Sequence, residues 1–284
     1  MHGHFANQQL ISDLSYLSSA ALNGRKTNTD DAIATAQFIN QRLQQLGYDS
    51  QLQPFNYTAG FFTEMSGQNV VATLKPAHPV QAHVILTAHY DHLGKQGHNL
   101  YGGANDNASG VSALLFIAAQ FAKAPLPFQL SFVATDAEEN GLHGAEFFVS
   151  QLHLDDAVTI LNINLDMLAV SPVKRTLYAF TANAQRQALQ EQLAAISSDT
   201  IKVKVTSSSN IMNRLNTGEK IDWRRASDHY AFAKAGIAYI YFGMGSDPHH
   251  HKSSDQLNNI DQQLYIEAVN YITQFIAQLD MTKF

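Results

Sequence analysis

The sequence predicts an α/β sandwich around a largely parallel or mixed sheet. Two observations carry the prediction: strand-like apolar runs alternate with helical patterns along most of the chain, and no internal repeat or low-complexity linker interrupts them. The first clear element is a helix beginning after Thr29, in TDDAIATAQFINQRLQQLG. Thr29 is suited to cap it, Asp30 and Asp31 complement the dipole of its first turn, and Gly47 stops it. Ile33, Phe38, Ile39, Leu43 and Leu46 form its apolar side. Strands follow at 69–74 (NVVATL) and 83–88 (HVILTA), then a helix from about Gly110 to Lys123. The rhythm continues with a strand at 128–135, a helix near 142–151, and strands at 159–165 and near 177–181. A helix at 183–196, a strand at 201–206, a helix at 227–235, a strand at 238–243 and a long helix from about Asp261 complete it. The Ser-rich stretch 206–218 reads as a surface loop, and residues 1–284 as one domain.

Composition narrows the function classes. With 45% hydrophobic residues in 284, the chain can bury a substantial core. A net charge of -6, with the 18 Lys and Arg scattered, provides no basic field for nucleic acid or an anionic membrane surface. The absence of cysteine excludes disulfides and thiolate metal sites, and leaves the redox compartment open. No apolar run approaches the roughly 20 residues that span a bilayer. The first residues, MHGHFANQQL, lack the pattern of a secretory leader, so the chain reads as soluble, either cytoplasmic or a periplasmic or secreted form whose leader has been removed.

In open α/β sheets, reactive groups gather beyond the carboxyl ends of the strands. Applied here, that rule selects His89, Asp91 and His92 after VILTA, then Glu138 and Glu139 after LSFVATD. It also selects Asp166 after TILNINL and His249, His250 and His251 after AYIYFGMGSDP. Asp106, in GGANDNASG, stands just before a helix. Imidazoles and carboxylates converging on one sheet edge are the donor chemistry of zinc and similar ions. The acids suffice for two metals, which need a bridging carboxylate and a proton-accepting carboxylate that is not itself a ligand. On an extended backbone Glu138 and Glu139 point to opposite sides, so one can bind metal while the other faces a reacting water; alternation alone does not say which.

The motifs HYDHLG, GANDNASGV, DAEENGLHGAEFF, NLDM, SDHYAFAKAGIAYIYF and HKSSD, in this order, resemble those of the M28 family of co-catalytic zinc aminopeptidases. The resemblance spans most of the chain. It implies a three-layer sandwich with a central mixed, mainly parallel sheet flanked by helices, as in zinc exopeptidases. It also implies two zinc ions, one held by His89 and Asp166, the other by Glu139 and His251, with Asp106 shared. Asp91 would orient His89, Glu138 would be the general base toward a metal-held water, and Asp255 would follow His251 at the family's spacing. The substrates implied are peptides with a free N-terminus. A cis peptide bond is expected at Asp106–Asn107. The chain departs from the family in one place: where many relatives have a carbonyl-polarising tyrosine before the last histidine, it has His250.

Other polar residues have ordinary readings. His92, His98, His143 and His229 are expected to be structural or on the surface, His249 solvated, and Asp136 and Glu146 capping or solvating a helix. Gly102 and Gly103 are turn residues without the lysine and spacing of a phosphate loop. Asp228 and Tyr230 fit either substrate contact or a helix start, and the 206–222 segment with Trp223 is placed against the pocket. Two alternatives stand beside the aminopeptidase: a one-metal glutaminyl cyclase or acidic-C-terminus carboxypeptidase on the same fold, and a non-catalytic binding relative.

Overall fold

The structure is a computed structural model that describes residues 2–60, 62–74, 81–124, 126–155, 157–169, 175–198, 200–213 and 220–284. Its strands are β1 (Asp49–Ala59), β2 (Thr63–Leu74), β3 (Ala82–His89), β4 (Gly94–Gln96), β5 (Asn99–Tyr101), β6 (Gln129–Thr135), β7 (Thr159–Leu165), β8 (Thr176–Thr181), β9 (Lys202–Thr206) and β10 (Ala238–Gly243). Its α-helices are α1 (His2–Leu17), α2 (Asp30–Gln45), α3 (Ser109–Phe121), α4 (His143–Ser150), α5 (Arg186–Ala194), α6 (Ser209–Met212), α7 (His229–Lys234) and α8 (Gln262–Ala277).

Eight strands form one mixed sheet in the order β1-β2-β6-β3-β7-β10-β8-β9, with β4 and β5 as a separate hairpin. The four central strands β6, β3, β7 and β10 run parallel to one another. They are also the apolar runs the sequence marks most clearly, because both of their faces are covered. On one face Leu86, Phe132, Ile163 and Phe242 pack with Leu14, Ile39, Leu114, Leu189 and Ile272 of α1, α2, α3, α5 and α8. On the other, Ile85 and Val133 meet Phe148 of α4 and Phe232 of α7. This is the three-layer arrangement expected.

α2 begins as predicted: the Thr29 hydroxyl accepts from Ala32 N, and Gly47 follows the helix at φ 91°. One residue of its expected apolar side differs. Ile33 is 47% exposed, since Ala32, Ala36, Ile39 and Leu43 already fill the face against the sheet. Three elements have no counterpart in the sequence reading: α1, the edge strand β1 and the β4–β5 hairpin. β1 carries Pro54, tolerated because β1 pairs only with β2. Within the expected 206–218 loop the chain forms strand end and α6, and residues 214–218 lie outside the described residues. No helix among the described residues is long and apolar enough to cross a membrane.

Candidate metal centre

Because β6, β3, β7 and β10 are parallel, their carboxyl ends open on one edge, and each delivers polar residues there. β3 ends at His89, β6 is followed by the Glu138–Glu139 turn, β7 by Asp166, and β10 by the loop that reaches His250 and His251. Asp106 enters from the turn before α3. Its backbone N–H and that of Asn105 donate to the Asp255 carboxylate at 3.0 and 2.8 Å. Asn107 ties the same turn to β7, donating to Leu165 O and accepting from Gly110 N. The Asp106–Asn107 peptide bond is cis, as expected.

The centre divides about Asp106. Its Oδ1 lies 3.3 Å from His89 Nε2, which is itself 3.6 Å from Asp166 Oδ1. Its Oδ2 lies 3.3 Å from the Nε2 of both His250 and His251, and His251 Nε2 is 3.0 Å from Glu139 Oε2. Donors bound to one tetrahedral zinc at about 2.0–2.2 Å are separated by about 3.3–3.6 Å along the tetrahedron's edges. Asp106 Oδ2 and Asp166 Oδ1 are buried yet have no hydrogen-bond partner, which is costly for carboxylates without a cation. The donors, their spacing and these unpartnered oxygens fit divalent ions on both sides of Asp106.

Asp91 organises the surroundings. Its two carboxylate oxygens accept from Glu138 N and Glu139 N at 3.0 and 3.2 Å, while Oδ1 stands 3.6 Å from His89 Nδ1. The glutamates diverge, but not by strand alternation: Ala137 takes φ 57°, and Glu138 O accepts from Gly141 N and Leu142 N in a turn. Glu139 reaches His92 and His251, whereas the Glu138 carboxylate makes no hydrogen bond among the described residues. Burial, reinforced by Glu139, Asp228 and Asp166 and opposed by His89, holds Glu138 well above the usual carboxylate range. Burial acts on Asp106 in the same direction, but the imidazoles of His250, His251 and His89 outweigh it and hold Asp106 well below that range.

Several residues depart from their ordinary readings. His92 is buried, the structural one of its two expected readings, but it belongs to the centre: its Nδ1 lies 2.7 Å from Glu139 Oε1, it packs against Gly103, and it forms a candidate donor group with Asp106 and Glu139. Asp136 neither caps a helix nor faces solvent. It accepts from Gln68 N, Ala137 N and the Tyr90 hydroxyl, and burial raises it to about 7. Asp228 is buried and accepts from Thr135 at 2.6 Å, and Ser227 is engaged by Asn164, so neither caps α7. Tyr230 instead faces Arg225 and Lys234. Trp223 is buried in an aromatic cluster with Tyr241, whose hydroxyl donates to Asp166 O at 3.2 Å. His249 is half-buried, with Nδ1 2.9 Å from Ser254 Oγ.

Arg25 gave no sequence signal. It is fully buried behind the centre and donates to Tyr90 O (2.8 Å), Gly102 O (2.7 Å), Gly103 O (3.0 Å) and Leu17 O. Burial lowers it to about 10, opposed by Asp255, Asp106, Asp91 and Glu139, so it remains a cation at neutral pH.

The sequence profile described as Peptidase family M28 matches residues 69–276. The chain belongs to peptidase family M28. Among curated relatives, it is 32% identical over 186 residues to the alkaline phosphatase isozyme conversion protein of Escherichia coli (strain K12), covering 59% of this chain and 52% of that one. It is 29% identical over 226 residues to aminopeptidase YwaD of Bacillus subtilis (strain 168), covering 76% and 46%. The chain thus spans about half the length of the curated relatives it matches. In fold, this M28 chain is similar to BSAP, a zinc aminopeptidase from Bacillus subtilis, with TM-score 0.76, 18% identity and coverage of 95% and 94%. It is also similar to the glutaminyl cyclase of Porphyromonas gingivalis, with TM-score 0.73, 17% identity and coverage of 95% and 97%.

Proposed function

We propose that the chain is a two-zinc aminopeptidase that removes residues from the free N-termini of peptides, with all 284 residues forming one catalytic domain. The observation that carries this reading is the division of Asp106, whose two oxygens face separate donor sets at 3.3 Å. His89 and Asp166 would hold one ion and Glu139 and His251 the other, with Asp106 between them. Bound zinc supplies Lewis-acid polarisation of a carbonyl and acidifies water.

The chain's own groups do the rest. Glu138, whose carboxylate has no hydrogen bond among the described residues and is raised by burial beside other acids, accepts a proton there and passes it to the leaving amine. Asp91 sets its position through the backbone of the turn. The excess of carboxylates around Glu138 and Asp166 favours a substrate's α-ammonium, in keeping with exopeptidase selectivity.

The test is metal content per chain together with hydrolysis of a panel of aminoacyl chromogenic substrates, before and after chelation. Two zinc ions with chelator-sensitive cleavage are expected, and Glu138→Gln should keep its metal while losing about a hundredfold or more in rate. One tightly held ion with N-terminal glutaminyl cyclisation would replace this reading with the cyclase; Glu138→Gln cleaving like wild type would remove its base.

A further inference from the structure

We propose that His250 is itself a metal ligand, giving the Oδ2 side of Asp106 a second imidazole, so that the two halves of the centre bind their ions unequally. This inference rests on the two-metal reading above. Its Nε2 lies 3.3 Å from Asp106 Oδ2, the same distance to the same atom as His251 Nε2. That oxygen is buried and makes no hydrogen bond to either ring or to any other group among the described residues. Two imidazole nitrogens and one carboxylate oxygen, converging without bonding one another, are arranged as donors around a cation.

The local backbone explains how adjacent residues can serve one ion. Residues 247–254 form a turn, with His250 N donating to Asp247 O, and His251 takes φ 55°. The two rings therefore lie side by side, with centroids 3.8 Å apart, instead of on opposite sides as in a strand. The turn is also pinned to the Asp106 loop at two points. Asp247 accepts from His249 N through Oδ1 and from the Asn105 side chain through Oδ2, and Asp255 accepts from the backbone of Asn105 and Asp106. His250 is thus held in register with the carboxylate it faces.

The consequence is an asymmetry of donor type. The Oδ1 side gathers His89, Asp166 and Asp106, three donors with one nitrogen. The Oδ2 side gathers His250, His251 and Asp106, three donors with two nitrogens, and Glu139 stands beside them, 3.0 Å from His251 Nε2 and 2.7 Å from His92 Nδ1. Imidazole nitrogen suits zinc better than a further carboxylate oxygen does. The Oδ2 side therefore loads first and holds its ion more tightly.

Zinc titration of metal-free protein by calorimetry should resolve a tighter and a weaker class, one ion each. H250A should weaken the tighter class at least about tenfold, the range that losses of supporting residues alone can reach, and leave the weaker class unchanged. The visible absorption spectrum of protein loaded with one equivalent of cobalt should change in H250A. H249A, altered at the neighbouring half-buried histidine, should titrate like wild type. His250's side chain is about one-third exposed, so the variant is expected to keep the fold, checked by circular dichroism of the metal-free protein. Titration and cobalt spectra indistinguishable from wild type would overturn the assignment while the two-metal reading stands. Wild type binding no zinc would overturn both.

Discussion

Replacing Arg25 by Met removes a fully buried cation, the largest fully buried side chain among the described residues, together with the four carbonyls' partner. Met fits much of the same volume, so the change reads chiefly the polar loss. The guanidinium donates to Tyr90 O, Gly102 O, Gly103 O and Leu17 O. Hydrogen bonds from a charged donor contribute about 1.5–3 kcal/mol each, and four give a gross loss of roughly 6–12 kcal/mol. Against this, the variant no longer desolvates a guanidinium, a relief of several kcal/mol. The net expectation is a destabilisation of about 3–5 kcal/mol, the range seen when one partner of a buried charged set is removed. R25K should recover only part of it, because one ammonium cannot span carbonyls from α1, the end of β3 and the Gly102–Gly103 turn with a planar fork's geometry. Urea denaturation of the metal-free proteins measures this, with the slope compared to confirm that the same surface is exposed. An R25M midpoint corresponding to less than about 1 kcal/mol would refute the reasoning: the carbonyls would then have found other partners, and Arg25 would not hold the segments behind the centre.

Three further outcomes are expected. Gly103 sits at φ 56°, where an added Cβ would lie 2.3 Å from Asp106 O and 2.6 Å from His92 Cδ2; G103A should cost more than about 1 kcal/mol and lower zinc content measured by mass spectrometry, and a wild-type metal load would count against it. Burial lowers His83, whose Nε2 is 2.8 Å from Ser131 Oγ, to about 4. Its neutral form is favoured in the fold, so its contribution is present above its ordinary value of 6.5 and is lost as pH falls toward 4. At about 1.4 kcal/mol per pH unit, up to roughly 3 kcal/mol disappears across that window, and H83Q should flatten this limb of the stability profile. Finally, the carboxylates of Asp106 and Glu139, 3.3 and 3.0 Å from its Nε2, raise metal-free His251 to about 10, so it is protonated at neutral pH. Zinc uptake should therefore release protons and tighten as pH rises; calorimetric heats independent of the buffer's ionisation enthalpy would contradict this.

What the sequence discloses follows from which physical causes leave a pattern in it. The central strands are legible because burial on both faces demands continuous apolar runs, as in VILTA and TILNINL. β1 is not, since DSQLQPFNYTA is an edge strand with polar residues and a proline, indistinguishable from a loop by hydropathy. α1 buries Leu10, Leu14 and Leu17 on one narrow stripe within an otherwise polar stretch. The candidate site was legible where side chains carry the chemistry, as with His89, Asp106, Glu139, Asp166 and His251, which the fold brings together. It was illegible where the backbone does. Arg25 stands in NGRKTNTDD, which reads as a solvated turn, and its partners are carbonyls that any sequence possesses. His92 was placed at the sheet edge by its position after VILTA, but its 2.7 Å approach to Glu139, 47 residues away, leaves no pattern in the sequence.

The order β6-β3-β7-β10 at the middle of the sheet has a kinetic side. Donors spread from His89 to His251 meet only when strands distant in sequence have closed against one another, so ligands to one ion are assembled late, after the slow, non-local pairings are made. An ion can then do little to hasten the chain's passage to the native sheet. A bound ion would act on the return path: interactions absent from the folding transition state lower the rate of unfolding. Chelation would accordingly shorten the lifetime of the folded chain far more than it would slow refolding, and resistance to proteases that act on transiently opened protein would track metal supply.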